Sequence, residues 1–337
     1  MDILFKIQAF GKLFLDMLNG KKQDKASEIL HSLIQNAKNY NHWFTEEAVL
    51  LRLNKISDFL ISDQFVSAYS SLVKHEFKKN KIYGVYSKEN IPLEEFSTLL
   101  AILLSGNSFI YKTGEKSDKL ITFFFEFLGN SCKELEHCIS FTDSTIKIAD
   151  KYIFTLRNEQ NPEVKKYFEK KETLFEIRYQ SVAVLDGNEK PEELNLLGHD
   201  LFTFFGMGTG NVRKLFVPKG FDLTIFFRAI EEWHSLRDHS SFVNNYQYNK
   251  TVYLINNITH FDNGFMLFKE DTAYRAPTGV LFYEYYEDKT ALLKILNQSP
   301  YLTFIYTAND ENSRLRKFGE SMNQLLLPSD NIIKFLL

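Results

Sequence analysis

The chain has 337 residues, and 40 Lys plus Arg stand against 43 Asp plus Glu, for a net charge of −3. That length predicts roughly two domains, each able to bury a core without covalent staples. The charge balance argues against a polyanion as the main partner, and 44% hydrophobic with 25% charged residues excludes a disordered chain.

Residues 1 to about 75 read as helix throughout. In MDILFKIQAFGKLFLDML the polar residues Asp2, Lys6, Gln8, Lys12 and Asp16 recur at helical spacing, so this is an amphipathic helix and not a signal peptide. No run reaches the length of uncharged apolar sequence that spans a bilayer, so no membrane span is expected and the location expected is cytoplasmic. Thr45 reads as an N-cap before Glu46 and Glu47, with Val49, Leu50, Leu53, Ile56 and Leu60 on one face.

From Ile82 strands and helices alternate. IYGVYS, SFIYK and YIFTL are strands, separated by helices over Pro92–Ser105 (ended by Gly106) and Lys116–Leu128; Asn161-Pro162 opens a third helix, and SVAVLD (181–186) is a further strand. The turn-rich DGNEKP at 186–191 predicts a domain boundary. Beyond it come a helix from Pro191 through Phe205, the strand KLFVP with a helical start near Val212, a helix from Asp222 to Leu236, and the strands TVYLI, GFMLF, VLFYEYY and LTFIY. Alternation of this kind implies parallel strands with right-handed crossovers. The fold class expected is therefore α/β: a helical segment 1–75 packing on a nucleotide-type domain 76–186, a second α/β domain 187–310 and a C-terminal segment 311–337. Ligands of open α/β sheets sit at the carboxyl ends of strands, which directs attention to the loops after IYGVYS, SFIYK and YIFTL and to the Gly-rich turn between Phe205 and Leu215.

Single motifs say little. GMGTGN (206–211) lacks the lysine of a P-loop. Cys132, His137 and Cys138 lack a second cluster to complete a zinc site, and His234 and His239 are five apart where metal-binding helices use four, so no metal is expected. Two cysteines make no disulfide framework. The 32 Phe, including LITFFFEF, read as ordinary core more readily than as an acyl tunnel.

Several long blocks taken together resemble one family. KENIPLEEFSTLLAILLSGNSFIYKTGEKSDKLI, SVAVLDGNEKPEELNLLGHDLFTFFGMGTGNVRKLFVPKGF, NNYQYNKTVYLINN, DNGFMLFKED, GVLFYEYYED and the FG of KFGES are similar, in order, to blocks of the LuxC-type acyl-CoA reductases of the aldehyde dehydrogenase superfamily. The resemblance implies an aldehyde-dehydrogenase-like fold with a Rossmann-like nucleotide domain, a catalytic domain, and a segment reaching onto a partner subunit, hence a homo-oligomer. It also implies the reaction: a cysteine takes the acyl group from an acyl-CoA or acyl-carrier thioester, and NADPH reduces the acyl-enzyme to an aldehyde. Carried over by position, Asn90 matches the oxyanion Asn, Lys112 the lysine that meets the nucleotide's ribose hydroxyls, Glu115 a polar position just after it, and Phe318 with Gly319 the turn that closes over the site. Asn90 is alternatively read as the cap of the Pro92 helix.

Three turns depart from the family pattern. Thr209 occupies the position of the nucleophilic Cys. Lys88-Glu89 stands where a small pair precedes NIP. Thr155-Leu156-Arg157 replaces TGS at the turn that approaches the nucleotide. A hydroxyl is a much weaker nucleophile than a thiolate unless a base activates it. The expectation is therefore a weakened or inactive reductase with poor NAD(P)H binding, or else a non-catalytic paralogue that holds an acyl group, an acyl carrier or a partner subunit. Thr209 and Asn90 are expected to point at one site.

Overall fold

The computed structural model describes residues 2–73, 81–114, 118–156, 162–309 and 314–337. The chain divides into two units, Met1–Arg178 with Leu326–Leu337, and Tyr179–Leu325.

The first unit opens with helices α1 (Asp2–Leu18), α2 (Lys25–Tyr40), α3 (Glu46–Ile61) and α4 (Asp63–Tyr69). Asp24, Thr45 and Ser62 cap α2, α3 and α4, each accepting from a backbone N–H of the first turn. Losing the Thr45 hydroxyl, which accepts from Ala48 at 3.2 Å, leaves that amide without its partner. Thr45→Ala is expected to lower stability by about 1 kcal/mol, read as a shifted urea midpoint at unchanged slope. α1 buries Ile3, Ile7, Phe10, Phe14 and Met17 along one stripe.

Next follow β1 (Ile82–Tyr86), α5 (Phe96–Leu104), β2 (Ser108–Lys112), α6 (Lys119–Ser131), β3 (Ile139–Thr142), β4 (Lys151–Leu156), α7 (Pro162–Phe168) and β5 (Thr173–Ile177). The sheet order is β3-β2-β1-β4-β5, all parallel. Every residue of α5 is buried, which is why its sequence is apolar on all sides. Phe124 of α6 meets Phe10 and Phe14 of α1 at ring distances of 5.4 and 5.1 Å, so the helical segment and the sheet's helices share one core.

The second unit contains β6 (Gln180–Val184), α8 (Pro191–Phe202), β7 (Val212–Pro218), α9 (Leu223–Ala229), α10 (Ser240–Ile255), β8 (Phe261–Asp262), β9 (Leu267–Glu270), β10 (Val280–Tyr286), α11 (Lys289–Gln298), β11 (Leu302–Thr307), β12 (Leu315–Lys317) and α12 (Ser321–Gln324). Its sheet runs β12-β11-β6-β7-β10-β9-β8, with only β8 antiparallel to its neighbour. α13 (Asp330–Leu336) returns to the first unit, where Tyr69 donates to the Leu326 carbonyl and Phe335 packs edge-on to Tyr83. No helix among the described residues is long and apolar enough to cross a membrane.

Several elements differ from the sequence expectation. SVAVLD forms β6, which pairs with β7 and β11, so the division falls after Arg178 and not at 186, and residues 311–337 are shared between both units. TVYLI is the last turn of α10, a helix started by His239 accepting from Phe242 N–H and held by Phe242, Tyr246, Asn249 and Tyr253 on its buried face. Val212 starts a strand and not a helix, because Val212–Val217 is buried between β6 and β10 in the middle of the sheet. The helix placed at Pro92 begins at Phe96: Leu93 has φ of 50°, and the buried Arg52 of α3 donates to the Pro92 and Leu93 carbonyls at 3.2 Å, which holds these residues in a turn. The α9 helix stops at Ala229, ahead of a 3-10 stretch over Glu231–Asp238. β3 and β5 are short edge strands of mixed exposure and carry no alternating signal.

Candidate functional site

In the second unit the chain leaves α8 through a strained bend. Phe204, Phe205 and Gly206 adopt φ of 53°, 57° and 69° in succession. A non-glycine residue held there costs on the order of 1–3 kcal/mol, and such strain persists where the surroundings over-determine it. A Cβ on Gly206 would come within 2.7 Å of the Leu201 carbonyl, so that position admits only glycine. The bend delivers Gly208-Thr209-Gly210, whose conformation is fixed by Asn211: its Oδ1 accepts from Gly208 N–H at 2.7 Å and its Nδ2 donates to the Asp200 carbonyl at 2.7 Å.

Asp200, fully buried on α8, is the anchor of this site. Its two carboxylate oxygens accept from Gly319 N–H at 2.6 Å and Ser321 N–H at 2.9 Å. The turn that carries Phe318 is thereby tied to the turn that carries Thr209, and a Cβ on Gly210 would lie 2.9 Å from the Ser321 carbonyl. Burial pushes the Asp200 carboxyl up to about 7, against the two backbone amides that favour its charge. The hydroxyls of Thr209 and Tyr306 are buried without a hydrogen-bond partner among the described residues, and the Tyr306 hydroxyl would lie 3.4 Å from a Cβ on Gly210. So the structure brings Thr209 and Phe318 to one place, as two turns locked through Asp200.

In the first unit, Asn90, Lys112 and Thr155 all lie at the carboxyl edge of the sheet. β1 and β4 are adjacent there while their connections run to opposite sides, which makes the crevice characteristic of such sheets. Asn90 does not cap a helix at Pro92; its backbone N–H donates to Glu94 at 2.8 Å and its side-chain amide donates to the Lys88 carbonyl at 3.2 Å. Glu89 is buried and accepts from Glu94 N–H at 3.1 Å. Around it, Arg178 pairs with Glu94 at 3.1 Å and Glu95 at 2.8 Å, and Ser87 donates to Glu95 at 2.7 Å. Burial first, and then the charges of Asp118, Glu94 and Glu95, push the Glu89 carboxyl well above the usual carboxylate range.

Lys112 at the end of β2 donates to the carbonyls of Thr113 and Asp143. Both residues line an open pocket of about 650 Å³ at the carboxyl ends of β2 and β3, whose walls also include Asp118, Lys119, Thr122, Phe123, Glu126 and Thr142. Thr155, next to last in β4, has a buried hydroxyl with no partner among the described residues. Glu115 and Arg157 lie outside the described residues. Cys132 and Cys138 are free and buried, and burial pushes the Cys132 thiol up to about 11, away from nucleophilic use. Among the described residues no group of three His, Cys, Asp or Glu is placed to hold a metal ion.

Asp200, Tyr306 and Ser321 were not singled out by sequence reasoning. The one legible signal was an aspartate set among Leu194, Leu197, Leu201 and Phe202 on an amphipathic helix.

No protein-family model and no curated protein matches the chain. Solved structures do. A NAD-dependent benzaldehyde dehydrogenase from Corynebacterium glutamicum superposes with a TM-score of 0.59 at 12% identity, over 95% of this chain and 82% of that one. A betaine aldehyde dehydrogenase from Staphylococcus aureus gives 0.58 at 14% identity, over 95% and 75%. An oxidoreductase from Marinobacter aquaeolei gives 0.58 at 12% identity, over 89% and 75%. The fold is aldehyde-dehydrogenase-like, with a parallel Rossmann-like sheet, a second sheet and a helical N-terminal segment.

Proposed function

We propose that this chain is an aldehyde-dehydrogenase-like oxidoreductase of the LuxC-type acyl-CoA reductase line, weakened or inactive in acyl transfer because Thr209 stands at the nucleophile position. The observation that carries this reading is the turn itself. The left-handed run 204–206, the Asn211 bridge and the Asp200 latch hold residue 209 against the Phe318 turn at a cost in strain that an idle loop has no reason to keep. The residue held there carries a hydroxyl.

In this reading the dinucleotide, when bound, supplies hydride to an acyl carbonyl. Two of the similar structures, the S. aureus betaine aldehyde dehydrogenase and an indole-3-acetaldehyde dehydrogenase from P. syringae, hold NAD+. The donor set of the first unit fits such a group: an open pocket at strand carboxyl ends, threonine hydroxyls and carboxylates suited to sugar hydroxyls, and the Thr155 hydroxyl near the end of β4, unpartnered among the described residues. Lys112 is the proposed ribose contact, together with Glu115, and Asn90 the proposed oxyanion donor, through its side-chain amide, since its backbone N–H is taken by Glu94. Phe318 closes over the acyl group. The acyl-CoA or acyl-carrier thioester substrate, the homo-oligomeric state and the cytoplasmic location belong to this proposal, as does NADPH by family resemblance.

A second reading, a non-catalytic paralogue that holds the acyl group, an acyl carrier or a partner subunit, is favoured by one feature. Among the described residues the Thr209 hydroxyl has no hydrogen-bond partner, and so no base in place to activate it. The two separate on incubation with a panel of acyl-CoA thioesters and NAD(P)H, followed by intact mass and by aldehyde formation. Aldehyde without a trapped adduct supports the weak reductase. Binding without aldehyde supports the paralogue. A stable acyl ester on Thr209 overturns the claim that the hydroxyl is idle.

A further inference from the structure

β11 brings one further side chain to the Thr209 turn. Tyr306 pairs with Ala183 of β6 on one side and with Arg316 of β12 on the other, so two neighbouring strands fix the point from which its ring extends. The ring is fully buried, and its hydroxyl reaches the turn, 3.4 Å from the position that a Cβ on Gly210 would take. Thr209, the chain neighbour of Gly210, carries a second buried hydroxyl, and neither hydroxyl has a partner among the described residues. A buried hydroxyl without a partner loses its hydration and gains nothing in return, so two at one turn require an explanation. Phenylalanine would fill the space of Tyr306 without that loss, and Phe is used throughout this protein's core. Burial first, and then the charge of Asp200, push the Tyr306 phenol well above its ordinary value, so it keeps its proton and can donate.

We propose that the Tyr306 hydroxyl is a substrate contact, donating to the carbonyl oxygen of an acyl thioester held at residue 209. The inference rests on the acyl-thioester reading above and names a donor in the second unit that the family resemblance does not supply. A thioester carbonyl accepts hydrogen bonds and has no donor of its own, so a neutral phenol on a fixed ring suits it. The hydroxyl is stripped of water when the chain folds, and binding does not repeat that loss. The contact therefore selects for a ligand that carries the oxygen. Gly210 serves the same end, because its lack of a side chain lets the Tyr306 hydroxyl and the Ser321 carbonyl approach the turn together.

The test is calorimetric titration of the full-length chain with octanoyl-CoA and with S-octyl-CoA, the thioether that lacks only the carbonyl oxygen. The parent is expected to bind octanoyl-CoA about fivefold tighter, the ratio that one neutral hydrogen bond supplies. Tyr306→Phe is expected to bring that ratio to about one while leaving the affinity for S-octyl-CoA unchanged, a readout that a merely structural role would not move. Its urea midpoint is expected at or above the parent's, because the variant removes an unpartnered hydroxyl. Equal affinity of the parent for the two ligands, or a preference that survives in Tyr306→Phe, overturns the contact while leaving the acyl-thioester site in place. A urea midpoint clearly below the parent's means that the hydroxyl is already satisfied within the fold, which overturns it as well. Binding of neither ligand to the parent removes the acyl-thioester reading itself, and the inference falls with it.

Discussion

Thr209→Cys is expected to make the chain acylate where the parent does not. Incubated with acyl-CoA, the variant should gain one acyl mass and release free coenzyme A. The argument is that the turn is built around residue 209 irrespective of its side chain: the bend at 204–206, the Asn211 bridge and the Asp200 latch involve backbone or neighbouring groups. Threonine and cysteine also differ little in size, so the substitution leaves these contacts in place. The gain should be on the order of 10³-fold or more, since removing the nucleophile from a working constellation costs on the order of 10⁶. Because Val212 begins a strand, no helix N-terminus is aimed at residue 209 to depress the thiol pKa. The side-chain oxygen at position 209 is buried, and burial raises a thiol, so the acylation rate should be low at pH 7 and climb only above about pH 8.5. A pH-independent rate would mean that an unrecognised base or cation serves the thiol. No acylation at any pH would mean that the pocket no longer accepts an acyl thioester, which leaves partner binding as the surviving role.

The legibility of the sequence varied with the physics of each element. Strands of continuous apolar residues between helices, such as Ile82–Tyr86 and the Val280–Tyr283 stretch of β10, were plain because both faces are covered. The N-terminal helices were plain because their stripes and caps are local. Edge strands were not, since Ile139–Thr142 and Thr173–Ile177 are only partly covered and alternate in neither sense. TVYLI looked like a strand because Thr, Val, Tyr and Ile favour strands; its helical state is set by packing along Phe242, Tyr246, Asn249 and Tyr253, which propensity does not record. For the site, the Gly-rich turn was visible as glycines at alternate positions, but its partner was not. Asp200 and Ser321 are 121 residues apart, and only the fold shows that one carboxylate receives the amides of a distant turn. Lys88-Glu89 was legible as a charged pair but not as a buried acid with a raised carboxyl, because its burial is set by the fold and the neighbouring charges come from Asp118, Glu94 and Glu95.

That same latch yields the second large effect, in the pH dependence of stability. Asp200 titrates near 3.9 in an unfolded chain and at about 7 in the fold, raised first by burial and opposed by the amides of Gly319 and Ser321. Between these values the native state binds a proton that the unfolded state has released, so stability falls as pH rises. The contribution is fully present below about pH 4 and is lost as pH climbs through about 7, which amounts to roughly 4 kcal/mol at about 1.4 kcal/mol per unit. Asp200→Asn removes this titration. Its amide still accepts from one of the two backbone donors but offers an N–H to the other, so a constant penalty of about 1–3 kcal/mol is expected at every pH. The quantity to measure is the difference in unfolding free energy between parent and variant by urea denaturation from pH 4 to pH 8, in which the other titrating groups cancel. The parent's advantage should be greatest at pH 4 and shrink by several kcal/mol by pH 8. A flat difference would mean that the amides of Gly319 and Ser321 hold Asp200 ionised throughout, making the latch between the Thr209 and Phe318 turns a permanent charge-assisted clamp in place of one that loosens or tightens near neutral pH.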